Sequence, residues 1–263
     1  MAIADDQRHG EELHASPIPA AYPRRCTPDA FSGSSGNRSL ESGFRAYRLF
    51  SELAGTYAAG ITAESTVLDF GCGWGRILRF WLKDIAPANL WGIDCYPEVL
   101  NYCKASNKWS NFALTDVFPP TPFAGDTFDL VYCYSVFSHL AEDIHRQWLQ
   151  EFQRILKPGG LLIATTYYRD WILNADNYIQ RKWPEFMRPP DVKLFPDVAK
   201  ALDDYDNGRY CHTSFRGGGP LDSSIWGETC IPEAYVRGQW SDLFEVLEFI
   251  DDRAGQNVIV VRK

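Results

Sequence analysis

Residues 67–76 read Val67-Leu68-Asp69-Phe70-Gly71-Cys72-Gly73-Trp74-Gly75-Arg76 and give the strongest structural signal in the 263-residue chain. A short apolar run ends in an acid and then turns through alternating glycines toward a helix. Because glycine has no Cβ, such a loop can adopt unusual dihedral angles and let a ligand lie against the main chain. The pattern predicts a ligand-binding strand, loop and helix, although an ordinary tight turn has a similar composition. The dinucleotide fingerprint G-x-G-x-x-G would need a glycine where Arg76 stands, which argues against an NAD-dependent oxidoreductase.

The sequence around this loop alternates between strand-like and helix-like segments. Apolar runs predict strands over residues 66–70, 89–94, 112–115, 127–134 and 161–166, and helical patterns are seen over 76–83, 98–106 and 142–156. A helix near 232–240 then precedes two strand-like runs, 244–250 and 258–262, which we expect to form an edge hairpin. Strands separated by helices favour parallel pairing with right-handed crossovers. We therefore expect an α/β fold with a doubly wound, Rossmann-like, mostly parallel seven-stranded sheet and an antiparallel C-terminal hairpin.

Two segments fall outside this alternation. Residues 1–39 combine several prolines with a Ser/Gly-rich run, which predicts a flexible N-terminal arm, followed by a helix from about residue 39 to 57. Residues 167–230 mix aromatic side chains with prolines and three glycines at 217–219, which we interpret as a hinge. We expect one domain over residues 40–263, in which residues 167–230 are an insertion that covers the active edge of the sheet.

Two further acids follow predicted strands. Asp94 ends the second strand 20 to 25 residues beyond the glycine loop, where a Rossmann-like site places the acid that binds a ribose. Asp116 ends the third strand and is followed by the apolar Val117. The alternatives are that Asp94 is a surface residue at a strand end and that Asp116 caps a turn.

Residues 67 to about 166 resemble the class I S-adenosylmethionine-dependent methyltransferases. The glycine loop looks like their motif I, and residues 128–140 and 154–160 are similar to their later strand, helix and Lys-Pro-Gly-Gly turn. The resemblance implies that the cofactor is S-adenosylmethionine. By this resemblance, Asp69 would orient the ammonium group of the cofactor, and Gly71, Cys72 and Gly73 would cradle its amino acid part. Asp94 would bind the ribose. The adenine would lie against Cys95, Asp116 and Val117, and Tyr134, at the end of the fourth strand, would lie near the methyl group.

Two histidines are candidate catalytic residues. Methyl transfer from a sulfonium is an in-line displacement, which requires alignment and exclusion of water rather than a metal. If the acceptor is a hydroxyl, a base is needed, and His139 is the first candidate because its ordinary pKa is near neutrality. The alternative is that His139 only hydrogen-bonds the backbone at the start of the next helix. His212 lies in the insertion and is a candidate substrate contact or base, whereas His145 is expected on a solvent-facing helix.

Composition limits the partners. The formal net charge of −8 disfavours nucleic acid, because phosphate backbones are bound chiefly through Lys and Arg. No secretory signal or membrane-spanning run is evident, and the seven cysteines lack metal-site spacing, so we expect a cytoplasmic protein with reduced thiols and no metal. Residues 167–263 weakly resemble bacterial methyltransferases of sugar or secondary-metabolite pathways, which implies O-methylation of a small molecule. A protein or peptide methyltransferase and a non-catalytic cofactor-binding module are the alternatives, and the oligomeric state is left open.

Overall fold

The main sheet of the computed structural model, which describes residues 36–58, 60–182, 193–214, 221–251 and 255–263, has seven strands. The chain's nine described strands are β1 Val67–Phe70, β2 Leu90–Asp94, β3 Asn111–Leu114, β4 Phe128–Cys133, β5 Leu156–Thr166, β6 Cys211–Ser214, β7 Gly227–Cys230, β8 Glu245–Ile250 and β9 Asn257–Arg262. The main sheet has the order β3-β2-β1-β4-β5-β9-β8; β9 runs antiparallel to both of its neighbours, β5 and β8, and the other pairs are parallel. This confirms the doubly wound, mostly parallel sheet and its C-terminal hairpin.

The strand order reverses between β1 and β4. Chain progress moves outward from β1 to β3 on one side and from β4 to β5 on the other. In open α/β sheets, the loops that leave such a reversal point diverge and open a crevice at the carboxyl ends of the strands. The glycine loop leaves the carboxyl end of β1, so the topology places it at this crevice.

Helices cover the two faces of the sheet. Their bounds are α1 Gly36–Tyr57, α2 Leu78–Trp81, α3 Pro97–Ser106, α4 Glu142–Ile155, α5 Trp171–Lys182, α6 Val198–Asp206 and α7 Glu233–Tyr235, which continues into a π-helical turn, Val236–Trp240. Helix α2 is shorter than the predicted 76–83, since residues 73–77 form turns that complete the glycine loop. One apolar core packs α4 and the Trp240 turn against the sheet, and the other packs α1 and α2 on the opposite face.

The prediction that His145 faces solvent is wrong. Its side chain is completely buried between α4 and the rings of Phe137, Tyr210 and Trp240. Residues 145, 149 and 152 follow helical spacing, so His145 belongs to the apolar stripe of α4 rather than to its polar face. Burial lowers the pKa of His145 to about 3, so the ring is neutral at physiological pH.

The insertion and the arm are described in part. Helix α1 begins at Gly36, so residues 36–39 are helical, and the arm predicted before them lies outside the described residues, as does the glycine run 217–219. Strands β6 and β7 form a separate two-stranded antiparallel sheet within the predicted insertion. Within the described ranges, no helix is long and apolar enough to cross a membrane. The same part of the chain holds no group of three or more His, Cys, Asp and Glu side chains suited to a metal ion.

Candidate cofactor and acceptor site

The glycine loop turns sharply at the carboxyl end of β1. Gly71 and Gly73 have φ angles of 69° and 52°, in the left-handed region that favours glycine. The N–H groups of Gly71 and Cys72 both donate to the carbonyl of Ile93 on β2, at 2.9 and 3.0 Å. A Cβ on Gly71 would lie 2.5 Å from Val136, whereas a Cβ on Gly73 would meet nothing within 4 Å. The loop is therefore closed on one side and open at Gly73, where a ligand can approach the backbone.

Asp69 is a buried carboxyl with an unused oxygen. The residue is 2% exposed, and its Oδ2 makes no hydrogen bond within the described part of the chain. Burial raises the pKa of Asp69 to about 7, against the opposing effects of Tyr132 and the Arg76 guanidinium. A buried acceptor without a donor is costly, so this oxygen is suited to a ligand that brings an N–H donor or a positive charge.

Asp94 bridges the loop and the end of β2. Its Oδ2 accepts the N–H of Gly73 at 2.9 Å, and its Oδ1 accepts the N–H of Tyr96 at 3.1 Å. Burial raises the pKa of Asp94, while these backbone N–H groups lower it. Each carboxylate oxygen has two lone pairs, so both can still accept a ligand hydroxyl. The neighbouring Cys95 is half-buried, and burial raises the pKa of its thiol to about 12.

Cys72 supports the loop from behind. Its side chain is buried beside Cys103, and both thiols donate to the carbonyl of Gly73, at 3.5 and 3.0 Å. The contact with Cys103, followed by burial, raises the pKa of Cys72 well above its ordinary value. The side chain of Cys72 thus faces the protein interior, and only its backbone is placed toward the open side of the loop.

Asp116 and Val117 follow β3 at the edge of the sheet. Asp116 is exposed, and its Oδ1 accepts the N–H groups of Val117 and Phe118 at 2.6 and 3.5 Å, so the carboxylate caps a turn, as the alternative interpretation predicts. Val117 is half-buried against the core, and its carbonyl accepts the Trp148 indole N–H at 3.1 Å. The other carboxylate oxygen, Oδ2, makes neither of these two hydrogen bonds.

The end of β4 is held by side chains from three directions. Tyr134 packs under the Arg76 guanidinium at 4.8 Å, and Arg76 also donates to Ser42 of α1 at 3.1 Å. Ser135 has a φ of 60°, which is unusual for a residue other than glycine. Its N–H donates to Thr165 at 2.7 Å, and its hydroxyl accepts from Gln256 at 2.9 Å. This network fixes the turn that leads from β4 to His139.

The β6–β7 hairpin docks on residues 138–140. The N–H groups of Gly227 and Thr229 donate to the carbonyls of His139 and Ser138, both at 2.8 Å. In return, Nδ1 of His139 lies 2.8 Å from the Gly227 carbonyl. These bonds join the predicted insertion to the chain that leaves β4, so His139 lies where the two segments meet.

Aromatic rings and a carboxyl surround His139. Its ring stacks on Trp226 at 4.4 Å between centroids and meets the edge of Tyr167 at 5.5 Å. Glu228 Oε1 is 3.6 Å from His139 Nδ1, and Glu228 Oε2 accepts the Trp171 indole N–H at 2.8 Å. Burial lowers the pKa of His139 to about 4 and raises that of Glu228 to about 8. Both groups are therefore mostly neutral at pH 7.

His212 lies on the same hairpin. Its Nδ1 is 2.8 Å from the Thr229 hydroxyl, which itself donates to the Leu140 carbonyl at 2.9 Å. Because the hydroxyl proton is used there, His212 Nδ1 carries the hydrogen and Nε2 is a bare acceptor. That Nε2 has almost no exposed surface and no partner among the described residues, and burial lowers the pKa of His212.

The structure thus brings both predicted histidines to one hairpin and the predicted loop acids to the crevice. Glu228, Trp171 and Trp226 were missed in the sequence. The one available signal was the cluster of aromatic residues in the predicted insertion, which does not indicate a partner for His139.

Comparison with known proteins identifies the central region. Residues 67–160 match the family model described as "Methyltransferase domain". They form a class I methyltransferase domain. Its cofactor is S-adenosylmethionine. The matched segment begins at the first residue of β1 and ends at Gly160 within β5, so it contains the glycine loop, Asp94 and His139.

The methyltransferase domain has curated relatives of several kinds. The chain is 24% identical over 185 residues to "Probable methyltransferase ltbC" of Aspergillus luteorubrus, an alignment that covers 66% of this chain and 65% of that protein. It is 32% identical over 114 residues to erythromycin 3''-O-methyltransferase of Saccharopolyspora erythraea, covering 40% and 35%. For ubiquinone biosynthesis O-methyltransferase of Cereibacter sphaeroides, the identity is 26% over 156 residues, covering 53% and 61%. The chain therefore spans less than two thirds of each of these three relatives.

Solved structures share the fold. The PH0226 protein of Pyrococcus horikoshii has a TM-score of 0.56 at 18% identity, with 83% of this chain and 90% of that chain covered. Magnesium protoporphyrin IX methyltransferase of Synechocystis has a TM-score of 0.52 at 13% identity, with 88% and 89% covered. These likenesses show the architecture of the domain and leave its acceptor open.

Proposed function

We propose that the protein transfers the methyl group of S-adenosylmethionine to a hydroxyl of a small molecule, with His139 as the general base. The observation that carries the proposal is the hydrogen bond from His139 Nδ1 to the Gly227 carbonyl. A carbonyl only accepts hydrogen bonds, so Nδ1 carries the hydrogen and Nε2 keeps its lone pair. The fold therefore presents a neutral imidazole base close to the end of β4.

The residues of the crevice fit the cofactor. The unused buried oxygen of Asp69 suits the ammonium group, and the open backbone at Gly73 leaves room for the amino acid part. Gly71 shapes this turn, and Cys72 contributes its backbone. Asp94 retains lone pairs for the two ribose hydroxyls. Cys95, Asp116 and Val117 remain our candidates for the adenine, and Tyr134 for the surroundings of the methyl group.

His139 has a defined task in this proposal. The bound cofactor supplies an electrophilic methyl group on a sulfonium. A hydroxyl oxygen forms the new carbon–oxygen bond as the carbon–sulfur bond breaks, and the hydroxyl proton moves to His139 Nε2. General-base assistance of this kind is worth about 10²- to 10⁴-fold in rate. His139 is better placed than His212, because the His139 side chain is 16% exposed whereas His212 Nε2 is sealed.

A small, hydroxylated acceptor is supported by two observations. Trp226, Tyr167 and Trp171 give the surroundings of His139 flat apolar faces, which suit rings of a metabolite or sugar. Two of the relatives named above are O-methyltransferases, one of erythromycin and one of ubiquinone biosynthesis. We place this chain with enzymes that modify small molecules rather than proteins or nucleic acid.

The test begins with cofactor binding and continues to turnover. Calorimetric titration with S-adenosylhomocysteine should show binding by the wild type, a large loss with Asp94→Ala, and no change with Asp242→Asn. Asp242 is an exposed acid just before the edge strand β8, which lies four strands away from β1 and its glycine loop. A screen of hydroxylated acceptors with labelled methyl donor should then give product that His139→Gln reduces.

Each step has a contrary result. Failure of the folded wild type to bind would contradict the cofactor site. Binding with no transfer to any hydroxylated sugar or phenol would favour the non-catalytic binding module, and transfer only to peptides would favour a protein methyltransferase.

A further inference from the structure

Glu228 is a buried carboxyl that cofactor binding and proton transfer to His139 do not by themselves require. It is 8% exposed, and it lies on β7 beside the backbone carbonyl that holds His139. One carboxyl oxygen faces His139 Nδ1 at 3.6 Å, and the other accepts the Trp171 indole N–H at 2.8 Å. Burying a carboxyl costs free energy unless it is hydrogen-bonded or paired with a charge.

The arrangement fixes the direction in which the imidazole points. Trp171 orients the carboxyl, the carboxyl faces the protonated nitrogen of His139, and Trp226 stacks on the ring. Of the two ring nitrogens of His139, Nε2 is therefore the one that remains to contact the methyl acceptor. This is the relation of a base to a third group that orients it and stabilises its charged form.

We propose that Glu228 is a positioning residue for His139. In its carboxylate form, Glu228 stabilises the imidazolium that forms when His139 Nε2 takes the acceptor's proton. The inference rests on the function proposed above. Trp171 is part of the device, because its indole N–H is the hydrogen-bond donor that holds the carboxyl. Glu228 itself does not touch the acceptor and releases no proton to it.

The proton balance predicts a pH dependence. The acceptor's proton moves to His139 Nε2, and the imidazolium is stabilised only if Glu228 has already lost its own proton to solvent. Burial sets the pKa of Glu228 at about 8, so this form grows as the pH rises through that value. The titratable groups nearby are His212 on β6, Cys230 on β7 and Tyr167 after β5. Burial holds the pKa of His212 below its ordinary value and that of Cys230 well above its own.

The first test needs no acceptor. In ¹H–¹⁵N spectra, the Trp171 indole signal of the wild type should shift with an inflection near pH 8 as its partner ionises, and the His139 ring signals should follow. Glu228→Gln keeps an oxygen that accepts the indole N–H but cannot ionise, so both inflections should disappear. His212→Gln is the matched control and should retain them. An indole signal that is flat between pH 6 and 10 in the wild type would overturn the proposal.

The second test uses the acceptor found in the turnover screen. Wild-type kcat/KM should rise through about pH 8, and Glu228→Gln should lose this rise and fall about 10- to 100-fold, a part of the gain that a general base supplies. Trp171→Phe should move the rise to higher pH, because the indole hydrogen bond lowers the pKa of Glu228.

The two proposals fail separately. A Glu228→Gln enzyme with the wild-type pH profile would refute the role of Glu228 while leaving methyl transfer intact. Absence of wild-type turnover with both spectral inflections present would refute the proposed function, and the coupling between Glu228 and His139 would stand.

Discussion

Binding of S-adenosylhomocysteine should release a proton from Asp69. Because burial sets the pKa of Asp69 at about 7, the free carboxyl at pH 6.5 is protonated in about 0.8 of the molecules. A ligand ammonium beside the unused Oδ2 favours the carboxylate, so binding at pH 6.5 should release close to this fraction of a proton. The affinity should rise about eightfold between pH 6.0 and 7.5, since the ionised fraction of the free protein rises by that factor.

The assay is calorimetric titration at one pH in buffers with different ionisation enthalpies. The slope of the apparent binding enthalpy against the buffer enthalpy gives the number of protons released. Asp69→Asn should bind more weakly and release none. Asp94→Asn should also bind more weakly but keep most of the release, because Asp94 only adds to the raised pKa of Asp69. A slope of zero for the wild type, with affinity independent of pH, would refute the assignment of Asp69 to the ammonium group.

Two further predictions concern stability. Gly71→Ala should lower the free energy of unfolding by about 2 to 4 kcal/mol, because Gly71 has a φ of 69° and the added Cβ would lie 2.5 Å from Val136. Gly73→Ala should lower the free energy of unfolding less, and it should still weaken the binding of S-adenosylhomocysteine. Thermal unfolding with and without that ligand checks both, and equal losses of stability would contradict the difference in packing. When the pH is lowered from 7 to 5, the free energy of unfolding of His145→Leu should rise by about 2 kcal/mol relative to that of the wild type. The wild type loses stability as the pH falls from 6.5 toward about 3, because the unfolded state binds a proton on His145 before the folded state does. Urea unfolding at both pH values checks this, and parallel pH dependences would contradict it.

The parallel half of the fold could be predicted because its signals are local. Each strand is a short apolar run, each crossover is a helix of ordinary length, and the glycine loop follows β1 directly. Asp94 could be found for the same reason, since its position depends only on the spacing between two adjacent strands. The length of α2 could not, because the loop's turns extend through residue 77 and the sequence does not show where the helical hydrogen bonds begin.

Glu228 could not be found from the sequence for a physical reason. The contact between His139 and the β7 backbone joins residues 88 positions apart, and Gly227 lies in the segment 167–230, which falls outside the predicted alternation of strands and helices. Its position depends on how the hairpin docks on residues 138–140, which is a matter of tertiary hydrogen bonds. The prediction for His145 was wrong for a different reason. A histidine on the apolar stripe of a helix is assigned to the polar face when its residue type is given more weight than its helical spacing.

The sequence offered two interpretations of His139 as alternatives: a general base, or a side chain that hydrogen-bonds the backbone. The structure removes the opposition between them. An imidazole can accept a proton at Nε2 only when its hydrogen resides on Nδ1, and the bond to the Gly227 carbonyl at 2.8 Å is what holds it there. The backbone contact is therefore a condition for the catalytic role that we propose for His139, because without it the ring could carry its hydrogen on Nε2 and present no base to the acceptor.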